Sequence, residues 1–257
     1  MTILVTNDDG IDAPGLHALV RHLAEVDEVV VVAPEGEQSG ASAAIGALSL
    51  GFPEVRDAQV PGATQAYAVA GAPALCTYYA MLGAFGTPPD LVVSGINPGW
   101  NVGRAVYHSG TIGAALTARS GGISGVAISQ HAGEPQHWDT AAAAAASVAT
   151  ALLEAPPAEP AVANVNVGNI GLDDVIGFRT VGLSDRIPFA MTAVKLRETG
   201  PGTYAVDIER DQSFDRSVDV DTGAVNANYI ALSWLGPIGV ESRAESAVHR
   251  ALSSLVA

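Results

Sequence analysis

The sequence predicts an α/β fold: a mostly parallel sheet with helices on both faces, extended by C-terminal β-hairpins and a terminal helix. Three observations predict it. Short β-rich runs alternate with helical patterns over the first two-thirds of the chain. Several of those runs are apolar on both faces, as strands between two helix layers should be. Beyond a proline-rich break the pattern changes to turn-rich, acidic pieces and an apolar tail.

Taken in order, the strands read as Ile3–Thr6, Glu28–Ala33, Tyr67–Ala70, Leu91–Ser94 and Val126–Ser129. The helices between them read as Gly15–Glu25, Ala72–Gly83, Gly110–Ser120 and Thr140–Glu154. Pro156, Pro157 and Pro160 then end the helical pattern. Ala163–Val167 reads as one more core strand, whereas Thr203–Ile208, Val218–Val220 and Asn228–Ser233 read as projecting hairpins. The tail carries Val240, Ala244, Ala247, Val248, Ala251, Leu252, Leu255 and Val256 at helical spacing, predicting an amphipathic helix that docks on this domain or on a partner.

Of the 257 residues, 48% are hydrophobic, enough to build a full core. Twelve Lys and Arg stand against 27 Asp and Glu, for a formal charge of −15. That balance argues against duplex nucleic acid or an anionic membrane as a partner. A small anionic substrate would need a local positive device, such as a metal ion or a set of backbone amides. Cys76 is the single cysteine, so neither a disulfide within the chain nor a cysteine-ligated cluster can form. It reads as a small buried hydrophobe. No signal-peptide pattern opens the sequence and no run is long enough to span a membrane, so the expected location is the cytoplasm.

Three loops at predicted strand ends carry chemistry. Asn7-Asp8-Asp9-Gly10 follows the first strand, at the carboxyl end where ligands bind in doubly wound folds. Two adjacent carboxylates repel and call for a counter-cation, for which Mg²⁺ or Mn²⁺ suits the oxygen donors. An ordinary turn is the alternative, since all these residue types favour turns. A dinucleotide fingerprint would need G-x-G-x-x-G, and a P-loop a lysine that this region lacks. The second loop, Gln38-Ser39-Gly40-Ala41-Ser42, offers a hydroxyl and exposed amides. The third runs from Ser94-Gly95-Ile96-Asn97 to His108-Ser109-Gly110-Thr111, where Asn97 supplies a neutral oxygen and a helix N-terminus an anion site. Ser109 serves equally as a plain N-cap. The histidines form no spaced pair resembling a zinc site.

These blocks, with Gly71-Ala72-Pro73-Ala74 and Pro89-Asp90-Leu91-Val92-Val93 between them, resemble the SurE survival-protein family in order and spacing. Asp221-Thr222 and the Tyr229–Leu235 strand extend the likeness over most of the chain. The resemblance implies a metal-dependent phosphatase acting on nucleoside monophosphates. It implies a Rossmann-like core over residues 1–170, with residues 171–257 as a hairpin extension and C-terminal helix of the same domain. A homodimer or homotetramer with exchanged C-terminal segments follows from it too. The family's metal ligands map onto Asp8, Asp9, Ser39 and Asn97, for one divalent ion per subunit. Its phosphate contacts map onto Gly40, Ser109, Gly110 and Thr111, with Asn97 a possible donor to the same phosphate.

On that reading the metal activates water, Asp8 or Asp9 accepts its proton, and His108 is a candidate acid for the leaving oxygen. Tyr78, Tyr79, Trp100, Tyr107 and Trp234 are candidates to stack on a base, although aromatics in such places more often pack. The chain departs from its relatives at Glu35-Gly36-Glu37-Gln38, where they carry a more basic, Asn-containing stretch. Ala43 and Ala44 replace larger polar residues, and Asn164-Val165-Asn166-Val167-Gly168 lacks a common proline. A phosphatase specialised for a non-nucleotide ester, or a non-catalytic metal- or phosphate-binding module, is therefore the alternative expectation.

Overall fold

The computed structural model describes residues 1–46, 53–185, 190–211 and 213–237. In chain order it forms β1 (Thr2–Thr6), α1 (Pro14–Leu23), β2 (Glu28–Pro34), β3 (Val55–Asp57), β4 (Gln65–Val69) and α2 (Pro73–Met81). There follow β5 (Leu91–Pro98), α3 (Gly110–Ser120), β6 (Ser124–Gln130), α4 (Trp138–Glu154) and β7 (Val162–Val167). The last part holds β8 (Gly177–Thr180), β9 (Ala190–Gly200), β10 (Thr203–Asp211), the short α5 (Asp221–Asn226) and β11 (Tyr229–Leu235).

Nine strands form one sheet in the order β3-β4-β2-β1-β5-β6-β7-β11-β8. From β4 to β7 every neighbouring pair is parallel. The chain builds outward from β1 through β2 to β4, then returns to the other side of β1 for β5, β6 and β7. The reversal falls between β1 and β5, and the crevice beyond the carboxyl ends of those strands is where such sheets bind ligands.

Alternation along the strands serves both helix layers. Ile3, Val5, Val29, Val31, Leu91 and Val93 pack in one core with Leu16, Leu19 and Leu23 of α1 and Ala141, Ala142 and Ala145 of α4. Leu4, Val30, Val32 and Val92 point the other way, onto Cys76 and Ala80 of α2 and Ala118 of α3. A proline in the first turn opens both α1 and α2, where its missing N–H costs nothing.

The predicted core strands and helices are present, with ends displaced by a few residues. The C-terminal third differs. Thr203–Ile208 lies in β10, which pairs with β9 in an antiparallel ribbon separate from the main sheet. The segment read as a third hairpin is β11, which joins the main sheet antiparallel to β7 and parallel to β8. Its apolar positions complete the sheet rather than project from it. Val218–Val220 forms no strand, only a bridge from Val220 to Gly182. The predicted helix at Val240–Val256 lies outside the described residues.

Candidate functional site

The turn after β1 is closed by its first residue. Asn7 is buried, its Nδ2 donating to Gly10 O at 3.0 Å and its Oδ1 accepting from Gly10 N at 3.2 Å. Gly10 has φ +105°, and a Cβ there would stand 2.9 Å from Gly36 Cα. Asn7 thus shapes the turn, and the two carboxylates that follow it are left to the site.

Those carboxylates have unlike surroundings. Asp8 Oδ2 accepts from Gly110 N at 3.1 Å, and Oδ1 accepts from the Thr111 hydroxyl at 2.5 Å. The positive end of α3, predicted to receive a phosphate, holds the Asp8 carboxylate here. Gly110 is required by that approach, because a Cβ would meet Asp8 Cβ at 2.8 Å. Burial still pushes the Asp8 carboxyl above its ordinary value, opposed by the Thr111 hydroxyl and nearby amides. Asp9 has only its own backbone amide to oppose the rise. Burial, then the charges of Asp8 and Glu37, push its carboxyl up to about 7. Its Oδ2 is buried without any hydrogen-bond partner.

The loop after β2 is fastened across this pair. Gln38 N donates to Asp8 O at 2.7 Å, and Ser42 N donates to His108 O at 3.2 Å. Ser42 Oγ donates to Tyr107 O at 2.8 Å, and the Ser42 carbonyl lies where a side chain on Gly113 would be. Between these anchors Ser39 and Gly40 are exposed, and Ser39 N donates to Glu37 Oε1 at 2.9 Å. On the opposite side of β1, the β5–β6 pairing shifts register between Ser94 and Asn97, a break that re-aims side chains. Asn97 Nδ2 donates to Gly99 O at 2.7 Å, which leaves Oδ1 as the atom open to a ligand.

Asp8, Gly110 and Thr111 are thus in direct contact, and Gln38 joins the Ser39–Gly40 loop to them. Ser109 is the N-cap of α3, accepting from Ile112 N at 3.2 Å, which leaves its hydroxyl proton free to donate. The Thr111 hydroxyl proton, in contrast, is committed to Asp8. His108 is exposed beside this group.

The sequence reading missed the polar network behind the loop after β5. Asn101 N donates to Asn166 Oδ1, Asn101 Nδ2 donates to Ser129 Oγ, and Asn101 O accepts from both Asn164 and Asn166. Two residues on, Gly103 N donates to Asp221 Oδ2 at 2.7 Å. Asn164, Asn166 and Asp221 are each at most 1% exposed. The signal was present: Asn at alternate positions of a core strand demands partners on one face.

Two carboxylates and two neutral oxygens fit a hard divalent cation. The orphaned Asp9 Oδ2, beside a second carboxylate and with a raised pKa, is the observation that calls for a positive charge. Among the described residues, no group of three His, Cys, Asp or Glu stands together as a metal cluster.

Comparison with known proteins shows the family. The model of the family "Survival protein SurE" matches residues 3–188. The chain belongs to the SurE family. It is 36% identical over 235 residues to a "5'/3'-nucleotidase SurE" of Erwinia tasmaniensis, covering 91% of this chain and 90% of that one. It is 35% identical over 251 residues to a "5'-nucleotidase SurE" of Nitrosococcus oceani, covering 91% and 98%. The crystal structure of the SurE protein from Aquifex aeolicus superposes with a TM-score of 0.79 at 28% identity, covering 91% of this chain and 93% of that one.

Within this SurE family member the aromatic candidates divide. Trp100 Nε1 donates to Val167 O at 2.9 Å and its ring lies 4.4 Å from that of His131, so it packs. Trp234 lines an apolar groove of about 810 Å³ between α4 and β11. Tyr78 and Tyr79 are half-buried on α2, whereas Tyr107, next to His108, is exposed.

Proposed function

We propose that this SurE family member is a metal-dependent phosphomonoesterase, a 5'/3'-nucleotidase that hydrolyses nucleoside monophosphates by attack of water. The observation that carries the reading is the Asp8–Asp9 pair at the switch point of the sheet, with a buried Asp9 oxygen lacking any partner. Asp8, Asp9, Ser39 and Asn97 would hold one Mg²⁺ or Mn²⁺ ion per subunit. When bound, that ion supplies Lewis acidity toward a phosphoryl oxygen and neutralises charge.

The chain's own groups do the rest. Both Asp8 oxygens already accept hydrogen bonds, so Asp9 is the carboxylate with an oxygen to spare for the proton of the attacking water. The Ser109 hydroxyl and the exposed Gly40 amide would donate to the equatorial phosphate oxygens, while the Gly110 amide and the Thr111 hydroxyl, mapped by the family likeness onto the same phosphate, hold Asp8 beside it. His108 is the residue at hand to protonate the leaving oxygen. The same reading gives one domain, 1–257, in a cytoplasmic homodimer or homotetramer with exchanged C-terminal segments. Its partner is a small phosphate monoester, in keeping with a charge of −15 and with the absence, among the described residues, of a helix able to cross a membrane.

The test is phosphate release from nucleoside 5'- and 3'-monophosphates, sugar phosphates and p-nitrophenyl phosphate, with EDTA, Mg²⁺ or Mn²⁺. Metal-dependent turnover favouring nucleotides, abolished by Asp8→Asn and Asp9→Asn in folded protein, is the expected result. The Glu37 loop favours one second reading, a phosphatase specialised for a non-nucleotide ester, which turnover of sugar phosphates over nucleotides would establish. No turnover with any ion would leave a binding module.

A further inference from the structure

We propose that Glu37 is a specificity-determining residue that confines this site to substrates with a single phosphate and disfavours those with a second phosphate beside it, such as nucleoside diphosphates and linear polyphosphates. The inference rests on the phosphomonoesterase reading above and concerns the same site.

The position of Glu37 is fixed from both sides. Gly36 lies against Gly10, and Gln38 N is bonded to Asp8 O. The carboxylate folds back over the loop, Oε1 accepting from Ser39 N at 2.9 Å, next to the exposed Gly40. Glu37 has no cationic partner among the described residues, unlike Glu35 in the same loop, which pairs with Arg56 at 3.2 Å. Its charge reaches inward as well, raising the pKa of both Asp8 and Asp9.

The consequence is a charge count. Asp8, Asp9 and Glu37 together would exceed one divalent cation by one negative charge before any substrate arrives, and among the described residues no ion pair to Glu37 offsets it. A phosphate monoester would be tolerated because the ion held by Asp8, Asp9, Ser39 and Asn97 would neutralise its charge, with the Ser109 hydroxyl as a donor beside it. A second phosphate has neither, and meets the Glu37 carboxylate at the rim of the site instead. Repulsion between such partly exposed charges changes relative rates by about tenfold and weakens as salt screens it.

The experiment compares kcat/KM for AMP, ADP and tripolyphosphate in the full chain and in Glu37→Gln, with free Mn²⁺ held constant, at ~50 and ~200 mM salt. Gln keeps an acceptor for Ser39 N, so the loop contact survives while the charge goes. The expected result is a rise of about tenfold in the ADP and tripolyphosphate rates relative to AMP in the variant. The wild-type ratio should also climb with salt, while that of the variant stays flat, a response that a purely structural Glu37 would not produce. A ratio within about twofold of wild type at both salt levels, with equal salt dependence, overturns the inference. If AMP is turned over but the ratio does not move, only the role of Glu37 is lost. Should wild type release no phosphate from AMP with either ion, the nucleotidase reading falls and this inference with it.

Discussion

The Asp221 carboxylate accepts the Gly103 N–H at 2.7 Å and the Ser184 N–H at 3.0 Å, joining α5 to the loop between Asn97 and Ser109 and to the segment before β9. A third amide, that of Thr222, donates to it at 2.8 Å. All three partners are donors, so only an acceptor serves at this buried position, and burial raises its pKa while the amides oppose the rise.

Asp221→Ala removes the acceptor that the Gly103, Ser184 and Thr222 amides share away from water. The expected loss is about 3 kcal/mol of stability, a fall in the thermal midpoint of roughly 6–12 °C for a chain of this size. Asp221→Asn fares little better, because its amide turns a donor toward donors. Calorimetry of both variants checks this, and a midpoint within about 2 °C of wild type would sink the clamp.

The unequal support of Asp8 and Asp9 sets a pH dependence for the metal-free protein. The folded Asp9 pKa of about 7 lies above its ordinary 3.8. Between those values the folded state binds a proton that the unfolded state has released. Stability without metal therefore falls as pH rises from about 4 to 7 and levels off above that. Asp9→Asn carries no such penalty. In EDTA it should be more stable than wild type at pH 8, with the difference vanishing near pH 4. Added Mn²⁺ should raise the wild-type midpoint at pH 8 and leave Asp9→Asn unmoved. Parallel melting curves of the two proteins across the whole pH range would count against the buried, unpartnered carboxylate.

Gly110→Ala tests the contact between α3 and β1. Its Cβ would meet Asp8 Cβ at 2.8 Å and Oδ2 at 2.9 Å. The Asp8 carbonyl is held by Gln38 N and its carboxylate by Thr111, so neither side can give easily. The cost should be about 1–3 kcal/mol from overpacking. Phosphate release should fall about a hundredfold, since a displacement of about 1 Å at the reacting groups has that effect. An active Gly110→Ala enzyme would show that the helix start can retreat from Asp8.

Much of this arrangement was legible in the sequence because local rules and tertiary demands agree there. Val29–Val32 is apolar on both faces and is a core strand, and Ser109-Gly110 places the start of α3 where the N-cap rule puts it. Asp8 and Asp9 stood out as a charge pair, but their inequality did not, because it depends on Gly110 and Thr111, about a hundred residues away. Asp221 stood out only as part of a block that resembles the family, and its role as a clamp did not, because its partners Gly103 and Ser184 are distant and only amides bind it. In β9, Lys195, Arg197 and Glu198 hid a strand. Its partners lie across a ribbon with Lys195–Glu209 and Arg197–Asp207 ion pairs, rather than in a core that would impose an apolar pattern.

Thr111 offers the sharpest single-atom test of the Asp8 environment. It is fully buried, and its hydroxyl donates to Asp8 Oδ1 at 2.5 Å. Valine has the same branched shape, so Thr111→Val keeps the packing and removes only the donor. Asp8 Oδ1 then faces a dry pocket without it, at a cost of about 1–3 kcal/mol. The Asp8 pKa, already raised by burial, rises further once its largest opposing influence is gone. The sign follows from that: in EDTA the extra loss of stability grows as pH rises through the Asp8 titration, and is smallest at acid pH, where both states are protonated. Thr111→Ser restores the hydroxyl and should recover most of the midpoint, whereas Val should not. If Val matched wild type at pH 8, the Asp8 charge would be held by the α3 amides alone, and the hydroxyl would be free for a phosphate after all.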